Sequence, residues 1–135
     1  MKLKHMLTLD DAKKIAEAAQ AEALANSWAV TISIVDDGGH LLLMQRLDGA
    51  PPMSATMSPA KATSAALGRR DTKIFEDMIN NGRFAFLSAP TLEGMLEGGV
   101  AIMVEGQCVG AVGVSGVKSS EDVQIAKAGI AALAL

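Results

Sequence analysis

Aromatic side chains, cysteines and clusters of basic residues are all scarce in this sequence of 135 residues. Aromatic residues make up 3% of the chain, with no tyrosine and a single tryptophan, Trp28, so the core must be aliphatic. The net charge is −3 without a basic tract, which excludes the phosphate-tracking surfaces and stacking platforms of nucleic-acid-binding proteins. The single cysteine, Cys108, excludes an internal disulfide and is typical of a reducing compartment.

Long apolar runs and targeting signals are also missing from the sequence. The longest apolar stretches are interrupted by glycine or charge well before the about 18 residues that a membrane-spanning helix needs. Segment 1–7 has no apolar core and no cleavage site, so it does not read as a signal peptide. The length predicts one domain, residues 1–135, and we expect a cytoplasmic protein with neither a membrane nor a nucleic acid as partner.

The hydrophobic pattern predicts helices at both ends and in the middle of the chain, with β-hairpins between them. Thr8 followed by Asp11 is typical of a capping box, and Ser58 followed by Pro59 is typical of a helix start. The predicted helices span 9–26, 58–68, 72–80 and 121–133. The predicted strands span 28–35, 40–46, 100–104 and 108–115, with 84–87 as a further short strand. Hairpins favour an antiparallel sheet, which helices must cover, so the fold class is α/β of the α+β type.

Glycines recur within the last predicted strand, at Gly110, Gly113 and Gly116. Repeated glycine weakens a strand and usually marks the close approach of another backbone or of a ligand. We therefore expect this strand to lie against either a helix or a binding site.

Four short motifs occur in a fixed order along the chain. They are VDDGGHL at 35–41, RLDGA at 46–50, KATSA at 61–65 and GAVGVSG at 110–116. Together they resemble the motifs of the GlcG/HbpS-like family, a haem-degrading-type domain that is also the C-terminal domain of PduO-type proteins. The resemblance extends from Leu7 to the end of the chain.

The resemblance implies a profilin-like fold, with a five-stranded antiparallel sheet flanked by helices on both faces, and a homo-oligomer. It also implies a small-molecule ligand, either haem or another tetrapyrrole, or a small carboxylate linked to glycolate, diol or corrinoid metabolism. Three residues depart from the family pattern. Glu97 replaces a glycine, Ala101 a proline and Val117 a glycine, all where a ligand pocket is expected, so the identity of the ligand does not follow from the resemblance.

The most polar residue set in the sequence could bind an anion. Cationic side chains beside backbone amides that glycine exposes bind carboxylates or phosphates. The candidate ligand-binding residues are Arg46, Asp48, Lys61, Thr63, Gly98, Gly99, Ser115 and Gly116. The alternative is structural: Arg46 and Asp48 would pair to fix a loop, and Lys61 would be a solvated helix residue.

The two histidines are the candidate metal ligands, as axial ligands to haem iron. His40 follows the glycines of the first hairpin turn, and His5 would serve if the N-terminus folds over a pocket. The alternative for His40 is an exposed residue at a strand start, because no second ligand stands at metal-binding spacing.

Three functions remain open from the sequence. The favoured one is a small-molecule-binding accessory protein. The second is an enzyme acting on a small hydroxy acid or diol-pathway metabolite, with Arg46 and Lys61 holding a carboxylate and Glu97 or His40 moving a proton. The third is a structural subunit of an oligomer. The sequence identifies no catalytic residue.

Overall fold

In the computed structural model, which describes residues 1–90 and 92–135, helices and strands follow one another in the predicted order. The elements are α1 (Leu9–Ala25), β1 (Thr31–Asp36), β2 (Leu41–Arg46), α2 (Ser54–Gly68), α3 (Thr72–Asn80), a 3-10 helix (Phe84–Ser88), β3 (Gly99–Val104), β4 (Gln107–Ser115) and α4 (Ser119–Ala131). Thr8 caps α1: its hydroxyl accepts from Asp11 N at 3.1 Å, and Thr8 N donates to Asp11 Oδ2 at 2.9 Å. The predicted capping box is confirmed.

The strands form one antiparallel sheet in the order β2-β1-β4-β3, so the two predicted hairpins lie side by side. The prediction of five strands is wrong: within the described residues the sheet has four, and segment 84–88 is the 3-10 helix. The outer edge of β3 already has hydrogen-bond partners. Ala101 N donates to Asp71 Oδ1 at 3.0 Å, and Gly99 N donates to Thr72 Oγ1 at 2.9 Å, so the start of α3 replaces a further strand.

Alternation along β1 gives the sheet one strongly apolar face. Ile32 and Ile34 point into the main core, where Ile15 of α1 and Ile125 of α4 are also fully buried. Each such side chain contributes about 1.5–3 kcal/mol by leaving water. Helices α1 and α4 therefore form one layer on this face.

The other face of the sheet carries small residues, and α2 packs on it. Thr31 Oγ1 and Ser54 Oγ share a hydrogen bond at 2.8 Å. Ser58 Oγ lies 2.7 Å from Ser33 Oγ. A second, smaller core of alanine and valine completes this layer: Val35, Ala62, Ala65, Ala66 and Ala111. The sheet thus lies between two helical layers, as predicted.

Helix α2 begins four residues earlier than predicted. Ser54 N donates to Pro51 O at 2.9 Å and Ala55 N donates to Pro52 O at 3.2 Å, so a tight turn at the two prolines starts the helix. Pro59 consequently lies inside α2 rather than at its first position. Pro59 is the sixth residue of α2, so its missing N–H removes the hydrogen bond that Ala55 O would accept in a regular helix.

Candidate functional site

A buried ion pair between Lys61 and Asp122 lies at one end of the sheet. Lys61 is 4% exposed and Asp122 1% exposed. Lys61 Nζ donates to Asp122 Oδ2 at 3.2 Å and to Val114 O at 3.0 Å. Asp122 Oδ1 also accepts from Val117 N at 3.3 Å. Because Lys61 belongs to α2 and Asp122 to the first turn of α4, the pair joins the two helical layers past the end of β4.

Burial dominates the electrostatics of this pair. It raises the pKa of Asp122 from 3.8 to about 6, although the Lys61 ammonium and the Val117 N–H both lower it. Replacement of both members of such a pair by apolar residues often leaves the stability of a protein unchanged. Removal of one member is destabilising, because it leaves an uncompensated buried charge. The arrangement therefore fixes the geometry of the sheet end and is closed to a ligand.

Glycines around the Lys61 side chain leave the space that this side chain occupies. Gly98 has φ +136°, and a Cβ there would lie 2.6 Å from Lys61 Nζ and 2.7 Å from Val114 O. A side chain at Gly99 would collide with Lys61 O, and one at Gly113 with the backbone of Ser58 and Ala62. The predicted close approach of backbone at these glycines is thus confirmed. The approaching group is the backbone of α2 at Gly113, Val35 O at Gly110 and Ala29 O at Gly116.

The structure separates the predicted anion-binding residues into three groups. Lys61, Gly98 and Gly99 are buried at the ion pair, so the expectation of a solvated Lys61 is wrong. Thr63 points to the opposite end of the sheet, where its hydroxyl donates to Gly39 O at 3.1 Å. The remaining residues, Arg46, Asp48, Ser115 and Gly116, lie near the strand ends on the side of the ion pair.

A small cleft lies beside this third group. Thr31 is opposite Arg46 on one side and Ser115 on the other, so both lie at the same level of the sheet. The cleft has a volume of about 210 Å³ and is lined by Pro51, Met53, Ser54, Ser115, Gly116 and Val117. The Arg46 guanidinium donates to Ala50 O at 2.9 Å beside it. Within the described residues, Arg46 and Asp48 form no ion pair with each other.

The N-terminal segment covers part of a second cleft. This cleft has a volume of about 230 Å³ between the β3–β4 hairpin and the end of α4. Its lining is mostly apolar and includes two potential iron ligands: His5, Met6, Leu7, Asp11, Val104, Val109, Leu133 and Leu135. His5 Nε2 lies 4.0 Å from Glu105 Oε2. His5 therefore lines this cleft, and its role as an iron ligand stays a prediction.

His40 lies in the first hairpin turn and lines neither cleft, although Lys4, next to His5, donates to Asp37 Oδ2 of that turn at 2.8 Å. The Asp36 carboxylate accepts from Gly38 N and His40 N, each at 2.9 Å, which fixes the turn. His40 is exposed. Across residues 1–90 and 92–135, no cluster of three or more His, Cys, Asp or Glu side chains could hold a metal ion.

One of the three departures from the expected motif changes a hydrogen bond. Ala101 N donates to Asp71 Oδ1, and proline at this position would have no N–H. Val117 N and Glu97 N donate to Asp122 Oδ1 and Glu76 Oε1 through the main chain, as glycine would also do. The sequence interpretation missed Asp122 as the partner of Lys61, because an acidic residue three positions after Ser119 is typical of a helix cap. A buried lysine needs an anionic partner, and this requirement was the signal that could have indicated a carboxylate beside Lys61.

These features define the class: an α+β domain whose antiparallel sheet lies between helical layers, with surface clefts at its ends. No helix in the described part of the chain is both long and apolar enough to cross a membrane. The chain belongs to the HbpS-like family, because the family model for haem degrading protein HbpS-like matches residues 7–131.

Individual relatives agree with this assignment. The chain is 53% identical over 115 residues to protein GlcG of Escherichia coli (strain K12), covering 85% of each chain. The crystal structure of HbpS is similar with a TM-score of 0.89 and 30% identity, over 98% of this chain and 94% of that one. The crystal structure of a complex of PduOC with haem is similar with a TM-score of 0.85 and 27% identity, over 95% of both chains.

Proposed function

We propose that this protein binds haem, as an accessory protein rather than an enzyme, in the cleft beneath its N-terminal segment. The observation that carries the proposal is the position of His5 at the mouth of an apolar cleft. Membership in the HbpS-like family and the likeness to PduOC, which has been crystallised with haem, support it.

The residues of this cleft fit the chemistry of a haem. Aliphatic side chains from Leu7, Val104 and Val109 would contact the porphyrin face. Bound haem would supply an iron that takes a nitrogen or thioether as axial ligand. His5 is the residue that we expect to provide the nitrogen, with Met6 as the neighbouring thioether.

The size of the cleft indicates exchangeable rather than permanent binding. At about 230 Å³ it is smaller than the roughly 300–1,000 Å³ typical of pockets that enclose a ligand. Most of a porphyrin would therefore stay exposed to solvent or to a partner surface. A carrier or sensor of haem needs such access, whereas chemistry on the macrocycle would need more enclosure.

Haem titration followed by the visible spectrum tests this proposal. We expect a saturable Soret shift in the parent and in His40→Ala, and loss of that shift in His5→Ala. His40→Ala is the matched control, because it removes an exposed imidazole at the other hairpin. An unsaturable change of equal size in all three proteins would contradict the proposal, and loss only in His40→Ala would move the site to the hairpin turn.

A second candidate, binding of a small carboxylate, rests on the cleft beside Arg46. One Arg46 N–H is bonded to Ala50 O, and the rest of the guanidinium is available to an anion. Ser115 contributes a hydroxyl to the cleft, and Gly116, with φ +141°, contributes backbone. Arg46→Gln should weaken binding of glycolate in calorimetry, and equal heats in parent and variant would exclude this site.

The enzyme hypothesis has less support than either binding function. It required Lys61 to hold a substrate, but the Lys61 ammonium is buried against Asp122 and Val114 O. Detection of turnover with glycolate in the parent, lost in Arg46→Gln, would reinstate it.

A further inference from the structure

A third cleft lies between α2, α3, the 3-10 helix and the segment that precedes β3. It has a volume of about 380 Å³, within the roughly 300–1,000 Å³ of typical small-molecule pockets. None of the residues that line it also lines the cleft at His5 or the cleft beside Arg46. Its contents are therefore a question separate from the function proposed above.

Contacts with α2 and α3 fix the wall that the segment before β3 gives to this cleft. Ser64 Oγ of α2 donates to Glu93 O, and Thr72 Oγ1 of α3 donates to Leu96 O. Gly94 has φ +67°, and a Cβ there would lie 2.9 Å from the backbone of α2, so only glycine lets the chain pass this close. This wall is in place before any ligand binds, as in most small-molecule sites.

The two acidic side chains of the cleft, Glu76 and Glu93, are free of cationic partners. Neither forms an ion pair with any residue of 1–90 or 92–135. Lys73, one turn earlier on α3, instead donates to Asp77 at 3.2 Å. Glu76 Oε1 accepts a long hydrogen bond, 3.5 Å, from Glu97 N. In the part of the chain that the structure describes, no lysine, arginine or histidine lines the cleft, so its two negative charges are uncompensated.

Apolar side chains line the rest of the cleft and are partly open to water. Leu87 is 68% exposed and Leu96 is 44% exposed, and Met57 of α2 also lines the cleft. A ligand with an apolar body would remove these side chains from water, which is favourable. A metal ion fits less well, because it needs a fuller set of oxygen ligands, and the described residues contain no cluster of three or more acidic, histidine or cysteine side chains that could hold one.

We propose that this cleft binds a small aliphatic amine. Its ammonium group, with three N–H donors, bonds the carboxylates of Glu76 and Glu93, and its alkyl chain covers Leu87 and Leu96. The side-chain amide oxygen of Asn80, which also lines the cleft, is a further acceptor. A ligand that carries carboxylates, such as haem or glycolate, would be repelled here. This proposal and those for the other two clefts can each fail without the others.

Titration with n-hexylamine at pH 7, followed by the backbone amide shifts in NMR spectra, tests both the site and its charge preference. Hexylamine is protonated at this pH. We expect saturable shifts at the amides of residues 76–80 and 92–96 in the parent. Hexanoate is the matched probe, because it has the same chain length and the opposite charge, and it should leave these amides unshifted.

Substitution of Glu76 tests the role of its carboxylate. Glu76→Gln keeps an oxygen that can accept from Glu97 N, so the circular dichroism should be unchanged. We expect it to weaken hexylamine binding about three- to tenfold, because a charge-assisted hydrogen bond becomes a neutral one. Glu22→Gln, the same substitution on α1 and outside the cleft, is the matched control and should bind like the parent. Shifts that do not saturate or that lie elsewhere, equal binding of hexanoate, or equal binding by Glu76→Gln and the parent would each overturn the proposal.

Discussion

Replacement of Lys61 by methionine is the sharpest test of how the fold is held together. Methionine keeps most of the aliphatic stem and removes the ammonium that contacts Asp122 Oδ2 at 3.2 Å and Val114 O at 3.0 Å. Asp122, 1% exposed, would then be a buried carboxylate without a cation. Breaking a buried pair in this way costs about 3–5 kcal/mol, a large share of the about 5–15 kcal/mol that stabilises a domain.

A double-mutant cycle separates the pair from the loss of packing. Asp122→Asn keeps the shape of the side chain and, like protonation of Asp122, leaves the Lys61 ammonium without its anionic partner. Lys61→Met combined with Asp122→Asn removes both charges. We expect the double variant to cost about 2–3 kcal/mol less than the sum of the single variants.

Urea unfolding monitored by the fluorescence of Trp28 measures these free energies. Trp28 is the single tryptophan and packs against the main core, so its emission should follow global unfolding. Arg46→Met is the matched control, because Arg46 is an exposed cation and its loss should cost under about 1 kcal/mol. If Lys61→Met is no more destabilising than Arg46→Met, Lys61 is not held by Asp122, and its role as a ligand-binding residue would be open again.

Three further predictions concern pH, glycine and helix capping. The folded state binds the Asp122 proton more tightly than the unfolded chain, with a pKa of about 6 against 3.8, so this residue should lower the unfolding free energy by roughly 3 kcal/mol as pH rises through that interval. The unfolding free energy should therefore fall with pH more steeply in the parent than in Asp122→Asn between those pH values. Parallel pH profiles of the two proteins would contradict the raised pKa of Asp122. Gly98→Ala should lower the free energy of unfolding in urea more than Gly106→Ala does. Both glycines have positive φ, but a Cβ at Gly106 meets nothing within 4 Å. Equal losses of stability would mean that Lys61 moves aside freely. Thr8→Ala should cost about 1 kcal/mol through loss of the α1 cap, and Thr8→Ser should restore most of it by the same assay.

Local patterns predicted the elements of this fold well. Alternation along β1 and the glycine turns identified both hairpins, and the spacing after Thr8 identified α1, because these signals depend on neighbours in the sequence. The errors arose where distant residues decide the outcome. The 3-10 helix at 84–88 contains Phe86, which packs against Phe75 with ring centroids 5.7 Å apart, a contact that no local pattern encodes.

The candidate site was harder to predict than the fold for the same reason. Lys61 and Asp122 are 61 residues apart in the chain, so their pairing depends on the sheet that lies between them. Thr63, two positions from Lys61, faces the opposite end of the sheet. Residue type indicated that Lys61 was special, but only the packing of α2 shows that its partner is a carboxylate of the same chain.

The motifs that carry the family resemblance encode the scaffold more than the ligand. In VDDGGHL, Asp36 closes the turn by accepting from Gly38 N and His40 N. In KATSA and GAVGVSG, Lys61 and Gly113 let α2 lie directly on β4. Residues that line the cleft at His5 lie outside all four motifs. Because the motifs are occupied by these structural contacts, proteins that share them can differ in what they bind, and the ligand of this chain has to be determined at the cleft itself.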